Sequence, residues 1–209
     1  MKYNTLIFDF DGTIADTFDE GVKIYNQMAD QHNLRTIHGE DMHHVRHLKL
    51  NDFLNYLDIP KQLVPKLLYN GTRMLRTRIR SLPLIQGMAE TLPRLRSRSE
   101  HFGILTSNST ENVQLFLKHH GMEDIFSFIS STSKLTGKAK HLRSIRRTFS
   151  IGDEQMIYIG DEVRDVMAAK KASVPIAAVS WGFNSHEALV GTKPDFLFHE
   201  PSELHSLVE

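Results

Sequence analysis

The apolar positions of the chain fall into short unbroken runs separated by amphipathic stretches. The runs predict six strands, at residues 6–10, 101–106, 125–129, 156–159, 175–179 and 195–198. In the stretches between them apolar residues recur every three or four positions, which predicts helices. Because strands alternate with helices, the pattern predicts an α/β protein with a mostly parallel, Rossmann-like sheet covered by helices on both faces.

Residues 17–82 follow a different pattern, which is helical throughout. An amphipathic helix is predicted at 18–30 and further helices at 51–57 and 61–80, with no strand among them. The sequence therefore predicts two units. Residues 1–16 and 83–209 form an α/β core domain, and residues 17–82 form a helical cap domain inserted after the first strand.

Composition narrows the class of protein. The 209 residues carry 25 basic and 25 acidic side chains, so net charge gives no reason to expect a nucleic-acid or anionic membrane partner. The absence of cysteine excludes disulfides, thiol catalysis and zinc held by cysteine. No apolar run approaches the roughly 18 residues of a membrane span, and no secretion signal precedes the first strand. We expect a cytoplasmic protein that is a monomer or a homodimer.

The first strand ends on two carboxylates, Asp9 and Asp11, followed by Gly12 and Thr13. Side chains two positions apart on a strand point to one face about 6.6 Å apart, so both acids can face one small volume. Two anions there require a cation, and a hard divalent ion such as Mg²⁺ suits carboxylate and carbonyl oxygens. The alternative interpretation is a strand that ends in a solvated Asp-Gly turn.

Polar residues also follow the second strand. Thr106, Ser107 and Asn108 offer hydroxyl and amide groups just before a predicted helix, where a phosphate binds favourably. Capping of that helix by Asn108 or Ser109 explains the same residues without a ligand.

Lys138 begins a helix directly after Gly137. The helix dipole disfavours a cation at that position, so an anionic ligand or carboxylate is expected to offset it. Lys134 and Lys140 are weaker candidates for the same role, and a solvated lysine is the alternative.

The fourth strand delivers Gly160 and Asp161 at its carboxyl end, and Asp165 follows one helical turn later on the same face. The alternative for Asp165 is a surface acid paired with a neighbour such as Arg164. A second Gly-Asp pair, at residues 152–153, lacks a preceding strand and is interpreted as a turn.

In this order the four segments resemble the four motifs of the haloacid dehalogenase-like (HAD) superfamily, in particular its phosphoglycolate phosphatase-like members with a small helical cap. The resemblance implies a Mg²⁺-dependent phosphatase that hydrolyses a small phosphorylated metabolite, phosphoglycolate-like or a sugar phosphate, through an aspartyl-phosphate. It implies Asp9 as nucleophile, Asp11 as general acid and base, and Lys138 as the charge-neutralising residue. The implied phosphate contacts are Gly12, Thr13, Thr106, Ser107, Asn108 and Lys138, and the implied metal site comprises Asp9, Asp11, Asp161 and Asp165.

Alternatives remain on the same core. A phosphomutase or a phosphonatase would use the same four motifs. A non-catalytic protein could retain the motif residues to bind a metal or a partner. The acid at Asp11 disfavours a dehalogenase. The segment 180–185 also resembles phosphoglycolate phosphatase-type members, although a packed tryptophan and a turn explain it equally well.

The sequence of the predicted cap gives the least information about catalytic and substrate-binding residues. A phosphonatase needs a cap lysine, and nothing distinguishes one of Lys23, Lys49, Lys61 and Lys66. Arg73, Arg76 and Arg80 lie near one helical face, and we interpret them as a solvated basic surface. His43 and His47 have ligand-like spacing with His44 beside them, but no third ligand is evident, so exposed histidines are the preferred interpretation.

Overall fold

The centre of the structure, a computed structural model, is a six-stranded sheet in which every strand is parallel to its neighbours. The structure describes residues 3–132, 137–152 and 154–209. The strand order is β3-β2-β1-β4-β5-β6. The predicted α/β class with a parallel sheet is therefore confirmed. The strands are β1 (Thr5–Phe8), β2 (His101–Thr106), β3 (Phe128–Ser131), β4 (Met156–Gly160), β5 (Ile176–Val179) and β6 (Phe196–Phe198).

Helices connect these strands and fill residues 17–82. The α-helices are α1 (Phe18–His32), α2 (Met42–His47), α3 (Leu50–Tyr56), α4 (Val64–Arg76), α5 (Met88–Arg96), α6 (Thr110–His119), α7 (Lys138–Thr148), α8 (Val163–Ala172) and α9 (His186–Val190). Short 3-10 helices lie at Gly39–Asp41, Ile79–Ser81 and Pro201–Leu207. None of the helices among the described residues is long and apolar enough to cross a membrane.

The two faces of the sheet support separate apolar clusters because side chains alternate along each strand. In β1, Leu6 and Phe8 belong to the cluster that α5 and α6 cover, whereas Ile7 belongs to the cluster that α7 and α8 cover. All three side chains are fully buried. This burial on both faces explains why the strand is an unbroken apolar run.

Residues 17–82, all of them described, contain no strand and have an apolar cluster of their own. Its buried members include Ile24 and Met28 of α1, Val45 of α2 and Leu67 of α4. We call residues 17–82 the helical insert. Its division from the remainder as a separate domain stays a prediction.

The insert begins and ends at one place beside β1. An isolated bridge pairs Ala15 with Leu84, and the backbone amide of Asp16 donates to the carbonyl oxygen of Pro83 at 3.0 Å. These contacts join the segment that leads from the sheet into the insert to the segment that returns from the insert to the sheet. The insert therefore lies over the edge of the sheet at which β1 ends.

The first strand is Thr5–Phe8 rather than 6–10, so Asp9 and Asp11 follow the strand instead of lying on it. Two further predicted boundaries were wrong. The third strand is Phe128–Ser131 rather than 125–129, because the ring of Phe126 packs from the preceding loop onto Phe8 and Phe102. The helix predicted at 61–80 is α4 at Val64–Arg76, followed by the 3-10 turn at Ile79–Ser81. In both cases apolar residues that extend the sequence pattern are buried outside the regular element.

Candidate active site

The carboxyl ends of the central strands bring three of the sequence segments together. β1 lies between β2 and β4, with Phe8 paired to Ile104 on one side and Ile159 on the other. The segments that follow these strands therefore leave the sheet at one edge, which is where ligands bind in open parallel sheets. Helices α7 and α8 add side chains to the same place.

The ammonium group of Lys138 lies between two carboxylates. Its Nζ is 2.6 Å from Oδ2 of Asp9 and 2.6 Å from Oδ1 of Asp165. All three side chains are buried, with exposed fractions of 2%, 2% and 0%, so the charges are shielded from water. The sequence alternative of a solvated lysine is thus excluded, and Asp165 pairs with Lys138 rather than with Arg164.

Burial changes the protonation of the Asp9 carboxyl. Removal from water raises the pKa of Asp9 to about 7, although the nearby Lys138 ammonium lowers it. The other carboxylate oxygen, Oδ1, accepts a hydrogen bond from the backbone amide of Phe10 at 2.8 Å. A second positive charge would restore the ionised form of Asp9, so its surroundings suit a cation.

Asp11 is held by an amide rather than by a cation. The Nδ2 group of Asn108 donates to both carboxylate oxygens of Asp11 at 3.1 Å. Burial raises the pKa of Asp11, and the Asn108 hydrogen bonds oppose that shift. Capping is not the role of Asn108, because the Ser109 hydroxyl oxygen accepts from the backbone amide of Asn112 at the start of α6.

A chain of amides extends from Asp11 to the insert. The Nδ2 group of Asn112 donates to Oδ1 of Asn108 at 2.9 Å and to the backbone oxygen of Thr72 in α4 at 3.0 Å. Asn112 is fully buried. The position of α4 is therefore linked by hydrogen bonds to the orientation of the Asp11 carboxylate.

Asp161 is fixed by the loops on either side of it. Its Oδ1 accepts from the Thr13 hydroxyl at 2.6 Å, and its Oδ2 accepts from the backbone amide of Phe183 at 2.7 Å. A Cβ atom at Gly12 or at Gly182 would overlap this carboxylate. Gly12 also has a φ of 75°, which side chains rarely adopt. Both glycines are needed for the loops to approach Asp161.

The segment after β2 forms a tight polar turn. The Thr106 hydroxyl oxygen accepts from the backbone amide of Asn108 at 2.9 Å, and Thr106 is fully buried. The Ser107 hydroxyl oxygen accepts a long hydrogen bond, 3.4 Å, from Nη2 of Arg164. Ser107 and Asn108 line the cavity described below, so they face the site.

The family of the chain follows from comparison with known proteins. Residues 6–179 match the family model of haloacid dehalogenase-like hydrolases, which covers both the motifs and the insert. The chain belongs to this family.

Relatives agree with this assignment. A phosphoglycolate phosphatase of Synechococcus elongatus is 33% identical over 199 residues, 95% of this chain and 94% of that protein. The pyrophosphatase PpaX of Bacillus pumilus is 24% identical over 98% of this chain and 96% of that protein.

Solved structures share the fold. A haloacid dehalogenase-like hydrolase from Streptococcus pneumoniae has a TM-score of 0.82 at 21% identity, over 100% of this chain and 99% of that one. CbbY from Rhodobacter sphaeroides, solved in complex with phosphate, has a TM-score of 0.74 at 18% identity, over 97% and 96% of the two chains. The sequence resemblance to the HAD superfamily is confirmed.

A group of acids in this HAD hydrolase has the composition of a metal site. Carboxylate oxygens of Asp9, Glu162 and Asp165 lie within 4.8 Å of one another. Hard divalent cations prefer such oxygen ligands, so the donor set fits Mg²⁺. The group contains two of the four predicted metal residues and adds Glu162. Ligation by Asp9, Asp11, Asp161 and Asp165 stays a prediction.

Two further residues of the site, Glu162 and Arg164, lie inside the fourth motif. The guanidinium of Arg164 forms an ion pair with Glu162, and its buried Nε and Nη1 atoms have no hydrogen-bond partner among the described residues. Burial acts to lower the pKa of Arg164, but the Glu162 carboxylate raises it and the net shift is upward, so burial does not neutralise the guanidinium. Their position one and three residues after Asp161 is the available sequence signal. From the sequence, Arg164 is expected only as a surface partner of Asp165, and Glu162 is not expected at the site.

The other sequence candidates lie away from this group. Lys140 is exposed, and Lys134 and Asp153 fall outside the described residues. The ring of His47 packs against that of His43, with ring centroids 4.4 Å apart, and its Nε2 atom is 3.3 Å from the Glu187 carboxylate on α9. None of the arginines and lysines noted in the insert lines the cavity among its described walls: Lys23, Lys49, Lys61, Lys66, Arg73, Arg76 and Arg80.

Proposed function

We propose that the chain is a Mg²⁺-dependent phosphatase that hydrolyses a small phosphorylated metabolite through an aspartyl-phosphate on Asp9. The observation that carries this proposal is the buried Lys138 ammonium, 2.6 Å from both Asp9 and Asp165. The Lys138 ammonium places a fixed positive charge beside the carboxylate of Asp9, the proposed nucleophile, at the ligand-binding edge of the sheet. Phosphoryl transfer depends chiefly on such positioning and charge neutralisation. The relative named phosphoglycolate phosphatase supports the reaction class and makes phosphoglycolate the first substrate to test.

In the first step, a carboxylate oxygen of Asp9 attacks phosphorus and the bond from phosphorus to the leaving oxygen breaks. Asp11 donates a proton to that oxygen, so the product leaves as an alcohol. Burial raises the pKa of Asp11, which favours the protonated form that this step requires. The Asn108 amide keeps the carboxyl group oriented through two hydrogen bonds of 3.1 Å.

In the second step, the Asp11 carboxylate accepts a proton from water as the water oxygen attacks phosphorus. The bond between phosphorus and the Asp9 oxygen breaks, which releases inorganic phosphate and restores both carboxyl groups. Lys138 remains beside Asp9 throughout and stabilises the negative charge of the phosphoryl oxygens. The Thr106 turn and the Arg164 guanidinium offer further donors to these oxygens.

Mg²⁺ would be held by Asp9, the backbone oxygen of Asp11 and Asp161, with Asp165 and Glu162 in the same acidic group. When bound, it supplies positive charge to the phosphate oxygens. The raised pKa values of Asp9 and Asp161, both caused first by burial, agree with a site that needs a cation to keep its acids ionised.

The test is phosphate release from 2-phosphoglycolate, a sugar phosphate and a generic aryl phosphate, with Mg²⁺ and with a chelator. We expect release to require Mg²⁺ and Asp9→Asn to lower kcat by at least about 10³-fold, the scale of removing a nucleophile. Asp16→Asn is the matched control, because Asp16 follows the same motif but is exposed. Acid quenching of the wild-type reaction should trap phosphate on Asp9. Full activity of Asp9→Asn, or of the chelated wild type, would contradict the proposal.

Diphosphate is a second candidate substrate. The chain is 24% identical to a pyrophosphatase, and Arg164 has two buried donor atoms, Nε and Nη1, that could bind a second phosphoryl group. Diphosphate therefore belongs in the same panel. A phosphonatase reaction has no comparable support, because the four candidate lysines of the insert are exposed.

A further inference from the structure

A cavity of about 370 Å³ extends from Asp11, the proposed general acid, into the helical insert. At the sheet end it is lined by Asp11, Ser107, Asn108, Glu162 and Arg164. The cavity is therefore continuous with the proposed phosphate site, and its far end is where the remainder of a substrate would lie. Its volume is in the range of sites that enclose whole organic ligands, and a two-carbon acid would occupy little of it.

The far end of the cavity is apolar. Three charged side chains lie among its described lining residues, Asp11, Glu162 and Arg164, and all three are on the sheet side. The insert contributes aliphatic and aromatic side chains from α1, α3 and α4. Representative members are Val22, Phe53, Leu54, Val64, Leu68 and Leu75.

Polar groups on the insert side are few. The described lining residues there include three with hydroxyl groups, Thr17, Tyr25 and Thr72. The Tyr25 hydroxyl already donates to the backbone oxygen of Arg35 at 2.7 Å. The buried Thr17 hydroxyl has no hydrogen-bond partner among the described residues, so it could bind one polar group. A sugar or a second carboxylate placed at this end would still lose most of its hydrogen bonds to water, which is unfavourable. An apolar group placed there would gain by leaving water.

We propose that the substrate is a phosphate monoester of an apolar alcohol, with an aliphatic chain or aromatic ring of about six or more carbons in the insert cavity. This inference rests on the proposed phosphatase function and names its substrate class. The phosphate lies beside Asp9, Lys138 and Arg164, and the organic group extends between α1, α3 and α4. The cavity, rather than a charged residue of the insert, then selects the substrate.

The experiment is a series of ethyl, butyl, hexyl and octyl phosphates compared with 2-phosphoglycolate and glucose 6-phosphate. Each methylene that enters an apolar cavity should raise kcat/KM about three- to fourfold, so hexyl phosphate should exceed ethyl phosphate by about 10²-fold. Hexyl phosphate should also exceed both polar substrates. A series that is flat within about threefold, or a preference for 2-phosphoglycolate, would overturn the inference.

Two neighbouring residues of α4 provide a matched pair of variants. Leu68 lines the cavity and is 37% exposed, whereas Tyr69 is 65% exposed and is not among the lining residues. Leu68→Gln should lower the hexyl-to-ethyl ratio of kcat/KM about tenfold, and Tyr69→Gln should leave it within about twofold. Both substitutions place an uncharged helix former at a partly exposed site, so both proteins should fold. An unchanged ratio in Leu68→Gln would show that the organic group does not bind in the cavity.

The experiment distinguishes failure of the apolar-substrate inference from failure of the proposed phosphatase function. If Asp9 is needed for hydrolysis of ethyl phosphate but chain length has no effect, the phosphatase proposal stands and the apolar substrate is excluded. If no phosphate ester is hydrolysed in an Asp9-dependent way, both proposals are overturned.

Discussion

The sheet edge and the helical insert form opposite walls of one cavity, but their chemistry differs. At the sheet edge, charged side chains are buried and paired, as in the contact of Lys138 with Asp9 and Asp165. The insert wall is apolar, and its described lining residues carry no charge. In the two proposals above, the sheet edge performs phosphoryl transfer and the insert recognises the rest of the substrate.

The two regions are joined at the loop after β5. The guanidinium of Arg46 in α2 donates to the backbone oxygens of Gly182 and Phe183. Asn184 returns a hydrogen bond from Nδ2 to the backbone oxygen of Arg46 at 2.9 Å, and the amide of Phe183 binds Asp161. One loop therefore contacts both the insert and a predicted metal ligand, so each region constrains the other.

The largest expected effect comes from breaking the charge pairing at the sheet edge. Lys138→Met leaves Asp9 and Asp165 buried without their cation, so we expect a loss of about 3–5 kcal/mol in the free energy of unfolding in metal-free buffer. Loss of its charge in the transition state should lower kcat by about 10²- to 10³-fold. Urea unfolding and phosphate release measure the two effects.

The matched control is Lys140→Met, because Lys140 is exposed on the same helix. It should change stability by less than about 0.5 kcal/mol, as is usual for surface substitutions. Equal effects of the two substitutions would contradict a special role of Lys138.

A smaller effect is expected at the loop that joins the two regions. A methyl group at Gly182 would overlap the Asp161 carboxylate, so Gly182→Ala should destabilise the protein by about 1–3 kcal/mol. Displacement of Asp161 by about 1 Å should lower kcat on the order of 10²-fold. Gly191→Ala is the control, because a methyl group there makes only ordinary contacts. A fully active Gly182→Ala protein would show that the position of Asp161 does not matter.

The smallest effect is expected within the insert, at a polar group remote from catalysis. The Asp41 carboxylate accepts from the Tyr56 hydroxyl at 2.5 Å, the His38 amide at 2.9 Å and the Arg35 guanidinium at 3.1 Å. The Tyr56 hydrogen bond contributes most to lowering the pKa of Asp41 below its ordinary value. A lowered pKa means that the stabilisation is complete above the unfolded value of about 3.9 and is lost as pH falls through the folded value.

Hydrogen exchange of insert amides should therefore accelerate relative to core amides as pH falls below about 4, after correction for intrinsic rates. Asp41→Asn should remove this pH dependence, and Asp52→Asn, an exposed acid of α3, should retain it. If the pH dependence persists in Asp41→Asn, another group is responsible.

The sequence by itself determined the sheet and the residues at its edge. Buried parallel strands leave unbroken apolar runs, and a charged residue directly after such a run must lie at the strand end. These are local properties of the chain. They were sufficient to predict Asp9, Asp11 and Asp161 at strand ends and to identify residues 17–82 as helical, whereas the role of Lys138 rested on the resemblance to the HAD motifs.

Tertiary structure decided which side chains meet. Thr13 binds Asp161 across 148 residues and Asn108 binds Asp11 across 97, contacts that no local spacing predicts. The same holds for the apolar cavity. A helical pattern shows that a helix has an apolar face, but whether that face is buried against a neighbour or lines a cavity depends on how the helices pack. For this reason the sequence indicated the chemistry of the sheet edge, and only the packed structure indicated what the insert could select.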